Sequence, residues 1–544
     1  MTKIWILLVA QFFRGLKFFV LLPFTAAEWI AVQLSFIAPV WLQIAAQIGA
    51  IAIAESIILS PANVYAPGVY KAMMVITIAY GLYKGTSFEE GTKIAPPQKQ
   101  TSGAYGMQKW ASQRDLKEAQ LLPKKPQKPA LVLGKINKQM VGPMPNAEWH
   151  AIMVGGAGTG KTSAGIIPTI QNFPGSVVCL DIKGDIYAAT AEERGKTTKI
   201  IKINPTDPDT WSFNPLAQCD SSDTGVVECM ELGRALIPDP PQGAGQEEWI
   251  INGARGLLAA LALIFGEQKD TLTSLAQYIT SQGKEAELLI RATNHPIVTA
   301  YAQQFLSNST NDRTGGYMPG KIAEYLTTFA VDADIQRVVE PQDGKTFEFE
   351  TLESPCTVYL QVPEHKLRQY SDLWRLLFMQ LLRHLQRRGE GKQPHILVVM
   401  DEFPQLGKME NLPEMFATLR SRNIHMLLAG QSIADIDAKY DPLTRRRIID
   451  NCNYISIFSA TDPDGQKYFS DLIGQKTIIA ESGGTTDSNQ KLAILSGSRG
   501  HNQNWSETGR ALIRPEELRD LGSKVIVVPR QTYPILLQKY FWFK

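Results

Sequence analysis

Gly155-Gly156-Ala157-Gly158-Thr159-Gly160-Lys161-Thr162 fits the P-loop pattern G-x-x-x-x-G-K-[ST] at every fixed position. Residues 149–154 before it read as a short buried strand, and residues 163–173 after it as a helix. A strand feeding a glycine-rich turn and then a helix makes backbone N–H groups converge on one point. The positive end of the helix dipole adds to them, so the turn cradles phosphate. In such a turn Lys161 reaches the β- and γ-phosphates of a nucleoside triphosphate, and Thr162 offers its hydroxyl to Mg²⁺. A glycine-rich turn that binds nothing is the bland alternative, and the complete match in its proper context argues against it. Pro168 inside the following helix removes a backbone donor and predicts a kink in the second turn.

The partner of a P-loop is an apolar strand ending in acid, and Ile396-Leu397-Val398-Val399-Met400-Asp401-Glu402 has that form. Asp401 is placed to hold the Mg²⁺ shell, and Glu402 to orient or polarise an attacking water. Alone, two acids at a strand end are as readily a solvated terminus; beside a full P-loop they are a second half-site. Gln431 follows the apolar run 426–429, where a polar residue contacts the γ-phosphate or its water, or simply ends a strand. Arg420 and Arg422 follow the helix after the acids. An arginine there can reach a neighbouring subunit's nucleotide, or lie on a solvated helix face.

Strand-like runs at 176–181, 199–203, 356–362, 425–429, 454–458 and 524–528 alternate with helices, which argues for an α/β fold on a parallel sheet. A further strand is expected at 130–134. Residues 225–341 carry apolar residues at helical spacing (Trp249, Ile250, Ala254, Leu257, Leu258, Leu261, Ile264) and no convincing strand, so an all-α domain is inserted there. The chain divides into an anchor (1–84), a first nucleotide-binding part (85–224), an all-α domain (225–345) and a second nucleotide-binding part (346–544). Residues 481–507, rich in Gly, Ser, Thr and Asn, read as a mobile loop.

The first 84 residues differ sharply from the rest. Residues 29–54 hold no formal charge and are long enough to span a bilayer. A second apolar run, 69–83, contains Lys71 near its start, where the side chain can snorkel. Lys3, Arg14 and Lys17 precede the first run and Lys84, Lys93 and Lys99 follow the second, while the loop 55–68 has neither Lys nor Arg. Two spans with both ends in the cytoplasm follow; the apolar stretch 4–22 leaves room for a third, partial segment.

Across 544 residues the net charge is only +2, so no global nucleic-acid signature exists. Local basic clusters (Lys366, Arg368, Arg375, Arg383, Arg387, Arg388, then Arg445-Arg446-Arg447) are either solvated faces or DNA contacts. Five scattered cysteines without a C-x-x-C pair go against disulfide and zinc frameworks, and the seven histidines show no ligand spacing.

The chain resembles the type IV coupling protein family, the TraG/TraD-like membrane ATPases of conjugation and type IV secretion. The resemblance is carried by residues 105–112, the P-loop with Pro168, residues 174–178, Asp181-Ile182-Lys183-Gly184-Asp185 and Phe213-Asn214-Pro215-Leu216. Asp401-Glu402-Phe403-Pro404-Gln405-Leu406-Gly407 is its most specific part, with residues 418–422, Gln431-Ser432, residues 450–452 and Asp462-Pro463. Ile182 stands where relatives often carry proline. The sequence closes at Lys544 without a long acidic tail, so docking through one is not expected.

The resemblance implies a RecA-like P-loop motor carrying an inserted all-α domain on a two-helix transmembrane anchor. It implies ATP and Mg²⁺ as ligands and a homo-hexamer in the bacterial inner membrane with its soluble part in the cytoplasm. ATP would bind between subunits with Arg420 acting in trans. The implied partners are single-stranded DNA with its relaxase and the inner-membrane components of a type IV secretion channel. A receptor for protein effectors alone and a septal-type double-stranded DNA translocase are the alternatives.

Overall fold

The structure is a computed structural model that describes residues 103–543 apart from 125–126, 241–244, 309–315 and 487–499. Both expected membrane spans lie outside the described residues.

In chain order the strands are β1 (Gly134–Ile136), β2 (Gln139–Val141), β3 (His150–Val154), β4 (Ser176–Asp181), β5 (Lys199–Ile203), β6 (Cys356–Gln361) and β7 (Ile396–Met400). They continue with β8 (Ile424–Gly430), β9 (Tyr454–Ile457), β10 (Gln475–Thr486), β11 (Gly500–Ala511), β12 (Lys524–Pro529) and β13 (Ile535–Gln538). Eleven of them form one sheet in the order β2-β1-β13-β12-β9-β3-β8-β7-β4-β6-β5. The run from β9 to β5 is parallel, and β12, β13, β1 and β2 extend it antiparallel. Every residue of β3, β4, β6, β7 and β8 is buried, as strands covered on both faces must be. Alternate side chains divide between two cores. Ile152, Val178 and Val398 enter one; Ala151, Val177 and Leu397 enter the other.

Between β5 and β6 the described chain is built on helices. Asp223–Leu236 starts on Ser222, Leu272–Gln282 on Thr271 and Ala333–Val339 on Asp332, each cap side chain accepting backbone N–H groups of the first turn. Glu248–Glu267 is long and apolar enough to cross a membrane, yet it is mostly buried. Asp223–Leu236 and Tyr317–Val331 pack on it, and its apolar surface is continuous with the sheet core through helix Leu367–Gln386. Buried Glu228 binds Arg383 at 3.1 Å, fastening the insertion to that long helix.

Two expectations are corrected. Pro168 lies in the helix as expected, but the turn before it, Thr162–Ile166, is wound as a π-helix, and Pro168 is the second residue of the α-helix Ile167–Asn172, where its missing N–H costs little. The expected strand 130–134 is displaced into the β1–β2 hairpin, because the Val132 N–H is taken by the Thr169 hydroxyl at 3.0 Å. Of the polar segment 481–507, expected to be a mobile loop, residues 481–486 and 500–507 pair in an antiparallel ribbon, β10 with β11, and 487–499 lie outside the described residues. Backbone pairing alone defines a ribbon, so composition gave no alternation to read.

Candidate active site

β3 and β7 flank β8, so the P-loop and Asp401-Glu402 leave the same carboxyl edge of the sheet side by side. Gly158 and Gly160 hold φ at +74° and +94°, a region that favours glycine, and this bends the loop around its own backbone donors. The residues converge on a pocket of about 620 Å³. Thr162 Oγ1 donates to Asp401 Oδ2 at 3.2 Å. Asp401 Oδ1 is buried without a hydrogen-bond partner.

Burial and neighbouring Glu402 push the Asp401 pKa up to about 6, against the pull of Lys161 and the Thr162 hydrogen bond. That rise is worth about 3 kcal/mol against the charged form. The five buried apolar side chains of β7, at about 1.5–3 kcal/mol each, outweigh it. An orphaned carboxylate oxygen beside a hydroxyl is the hard-oxygen set that a magnesium ion and its water shell satisfy, so the residues fit that cation.

Glu402 sits at φ +54°, uncommon for a side-chain-bearing residue, and turns the chain sharply off β7. Its carboxylate comes to 3.6 Å from Lys161 Nζ. Lys161 also donates to the Gly155 and Gly156 carbonyls. Burial raises the Glu402 pKa, while Lys161 and a hydrogen bond with Gln431 oppose the rise. A carboxylate made more basic and held over the phosphate cradle can take a proton from water.

Lys161, Thr162, Asp401, Glu402, Gln431 and loop residues 156–160 therefore meet in one pocket; Gly155 does not line it, but its carbonyl accepts from Lys161 Nζ. Arg420 and Arg422 do not. Both precede β8, at the amino edge of the sheet, and the seven residues of that strand put them about 20 Å along it from the P-loop. Arg422 is held by the Thr418 carbonyl at 2.8 Å. Among the described residues no hydrogen bond or ion pair holds the Arg420 side chain.

Four contributors escaped the sequence. Asp181 ends β4 and lines the pocket; it accepts the N–H of Tyr187 at 2.9 Å and Gln361 Nε2 at 3.1 Å. Its position after an apolar strand, like that of Asp401, was the available signal. Ser459 Oγ accepts the Gly156 N–H at 3.0 Å. Trp542 and Phe543 line the same pocket from the other end of the chain, with no motif to announce them.

A larger cavity of about 920 Å³ opens at the amino edge, among Asp115, Glu118, Glu148 and Arg530. Its acidic lining disfavours phosphate.

The basic clusters are largely engaged. Lys366 pairs with Asp334 at 2.8 Å and Arg388 with Glu353 at 3.0 Å. Arg375 is buried on backbone carbonyls, and Arg445 pairs with Asp437 at 2.9 Å.

A family model described as type IV secretory system conjugative DNA transfer matches residues 109–544. The chain belongs to this family. Protein VirD4 of Rhizobium rhizogenes is 27% identical over 461 residues, covering 81% of this chain and 65% of that protein. The chain thus spans slightly less than two thirds of its VirD4 relative. Conjugal transfer protein TraG of Escherichia coli is 23% identical over 482 residues, covering 80% of this chain and 75% of that protein. Plasmid coupling protein TrwB, solved with the ATP analogue ADPNP, superposes with a TM-score of 0.59 at 15% identity over 79% of this chain and 92% of that one. TrwB with ADP and Mg²⁺ gives 0.58 at 14% identity, over 81% and 97%. At these identities the likeness establishes the shared fold, an α/β domain with its helical domain, for this member of the conjugative DNA transfer family.

Proposed function

We propose that this chain is a membrane-anchored ATPase that couples ATP hydrolysis to delivery of single-stranded DNA, with its bound relaxase, into a type IV secretion channel. The observation that carries the reading is the meeting of Thr162 with Asp401, one oxygen of which lacks a partner, beside the Lys161–Glu402 pair. The curated relatives are coupling and conjugal transfer proteins, and the related TrwB was solved with ATP analogue and with ADP and Mg²⁺.

The loop N–H groups and Lys161 bind and orient the phosphates of ATP, and Thr162 with Asp401 holds Mg²⁺. The cation neutralises charge spread over the transferring phosphoryl group. Glu402 orients water and accepts its proton, with Gln431 holding the carboxylate in place. Arg420, remote from its own pocket, serves the neighbouring subunit of a homo-hexamer in the bacterial inner membrane. Asp239 and Glu410 both pair with Arg255, at 3.0 and 2.9 Å, in the core helix of the insertion. That link ties the loop after Asp401-Glu402 to the helical domain, the part that receives cargo.

Purifying the full-length protein with its cargo tests the reading. Relaxase linked to single-stranded DNA supports it; protein effectors alone, or stimulation only by double-stranded DNA, would favour the alternatives.

A further inference from the structure

The phosphate end of the pocket is fully accounted for, but a nucleotide also carries a base. Relative to β3, the carboxylates of β7 lie on one side of the P-loop and β13 lies on the other. β12 is antiparallel to β9 and β13 antiparallel to β12, so β13 runs in the direction of β3 and delivers its carboxyl end to the P-loop edge.

The segment beyond β13 is fastened there. Lys539 is buried; its N–H donates to the Ser523 carbonyl at 2.8 Å and its Nζ to the Gly522 carbonyl at 2.7 Å. The Phe541 ring packs so closely on the loop that a Cβ added at Gly160 would lie 3.2 Å from it. The Trp542 N–H donates to the carbonyl of Ser163, the residue after Thr162, at 3.3 Å. Two aromatic side chains are thereby presented to the pocket, Trp542 at 40% exposure and Phe543 at 58%. Their rings stand edge to face, with centroids 5.7 Å apart. A large apolar surface held open beside a polar phosphate cradle is unfavourable in water and suits one part of a nucleotide, the flat apolar base.

We propose that Trp542 is the stacking surface for the nucleobase, with Phe543 flanking it, and that β13 and Phe541 position it. The proposal rests on the nucleotide-binding reading above and assigns the half of the site which that reading leaves blank. Stacking is tolerant of base identity, so adenine and guanine nucleotides should bind within a few-fold of each other.

The test is equilibrium binding of ATP and of inorganic tripolyphosphate, each with Mg²⁺, to the full-length protein and to Trp542→Ala and Trp542→Phe. Loss of the stacking partner should weaken ATP about tenfold, leave tripolyphosphate unchanged, and be largely restored by phenylalanine. Unchanged ATP affinity, tighter ATP binding, or equal loss for both ligands would overturn the proposal. Equal loss would make the tail a brace for the P-loop, and tighter binding would make it a cover over the site. If the unaltered protein binds neither ligand, the nucleotide reading itself has failed; if it binds both equally well, only the base subsite has.

Discussion

His150 and Asp401, at opposite edges of the central sheet, are buried in opposite ways. At the amino edge the Met426 N–H donates to His150 Nδ1 at 3.1 Å, which leaves Nε2 to donate to the Phe416 carbonyl at 2.9 Å. His425 is likewise set between the Trp149 carbonyl and His395, at 3.3 and 2.8 Å. At the carboxyl edge Asp401 Oδ1 has no partner and two adjacent acids sit above their ordinary pKa values. Satisfied buried polar groups hold a fold together; unsatisfied, mutually repelling ones persist where something else completes them.

The largest expected effect at the carboxyl edge comes from Lys161→Ala. It should lower ATP hydrolysis by at least about a thousandfold, the scale of losing a group that stabilises phosphoryl charge. Near wild-type turnover would show that the pocket is not a hydrolytic site. Arg420→Ala should approach the same loss in the assembled protein, whereas Arg422→Ala, already committed to Thr418, should change turnover little. Equal and negligible losses would remove the trans arginine from the account.

At the amino edge His150→Ala should act on stability alone. It strands the Phe416 carbonyl and the Met426 N–H and leaves a cavity, which costs about 3–5 kcal/mol. Thermal unfolding should shift down while turnover per folded molecule holds. A matching loss of kcat would blur the distinction between the edges.

The smallest effect is the most discriminating, because the edges respond to pH with opposite sign. Burial lowers the His150 pKa from 6.5 to about 4, so the unfolded chain binds the proton more tightly, and stability is lost as pH falls through that window. Asp401 is raised from 3.8 to about 6, so its contribution is full below the lower value and is lost as pH rises through the upper one. Asp401→Asn should therefore raise the melting temperature at pH 8 without nucleotide, by the equivalent of about 2–3 kcal/mol, and the gain should vanish near pH 4. The same variant should lose Mg²⁺-dependent nucleotide binding. No gain at pH 8 would mean that the charged carboxylate is better compensated than its geometry implies.

Much of this was readable in the chain. Residues 151–154, 177–180 and 396–400 are apolar without interruption because both faces of those strands are covered, and the P-loop and Asp401-Glu402 follow from their fixed spacing and chemistry. What escaped depends on distance. Ser459 and Trp542 reach the pocket only because β9 and β13 end at the same edge as β3. β13 itself, Ile535–Gln538, is too short to carry a period. The ribbon of β10 and β11 is polar and glycine-rich over much of its length, so nothing in its side-chain pattern separates it from a loop.

We propose that the carboxyl edge is a hydrolytic site shared between subunits. Its most direct test is steady-state ATP hydrolysis by the full-length protein in nanodiscs, across protein concentration, with and without single-stranded DNA and against Lys161→Ala. The account predicts hydrolysis absent in the variant, stimulated by DNA, and rising more than linearly with concentration as subunits complete one another's sites. A rate no greater than that of Lys161→Ala would contradict it.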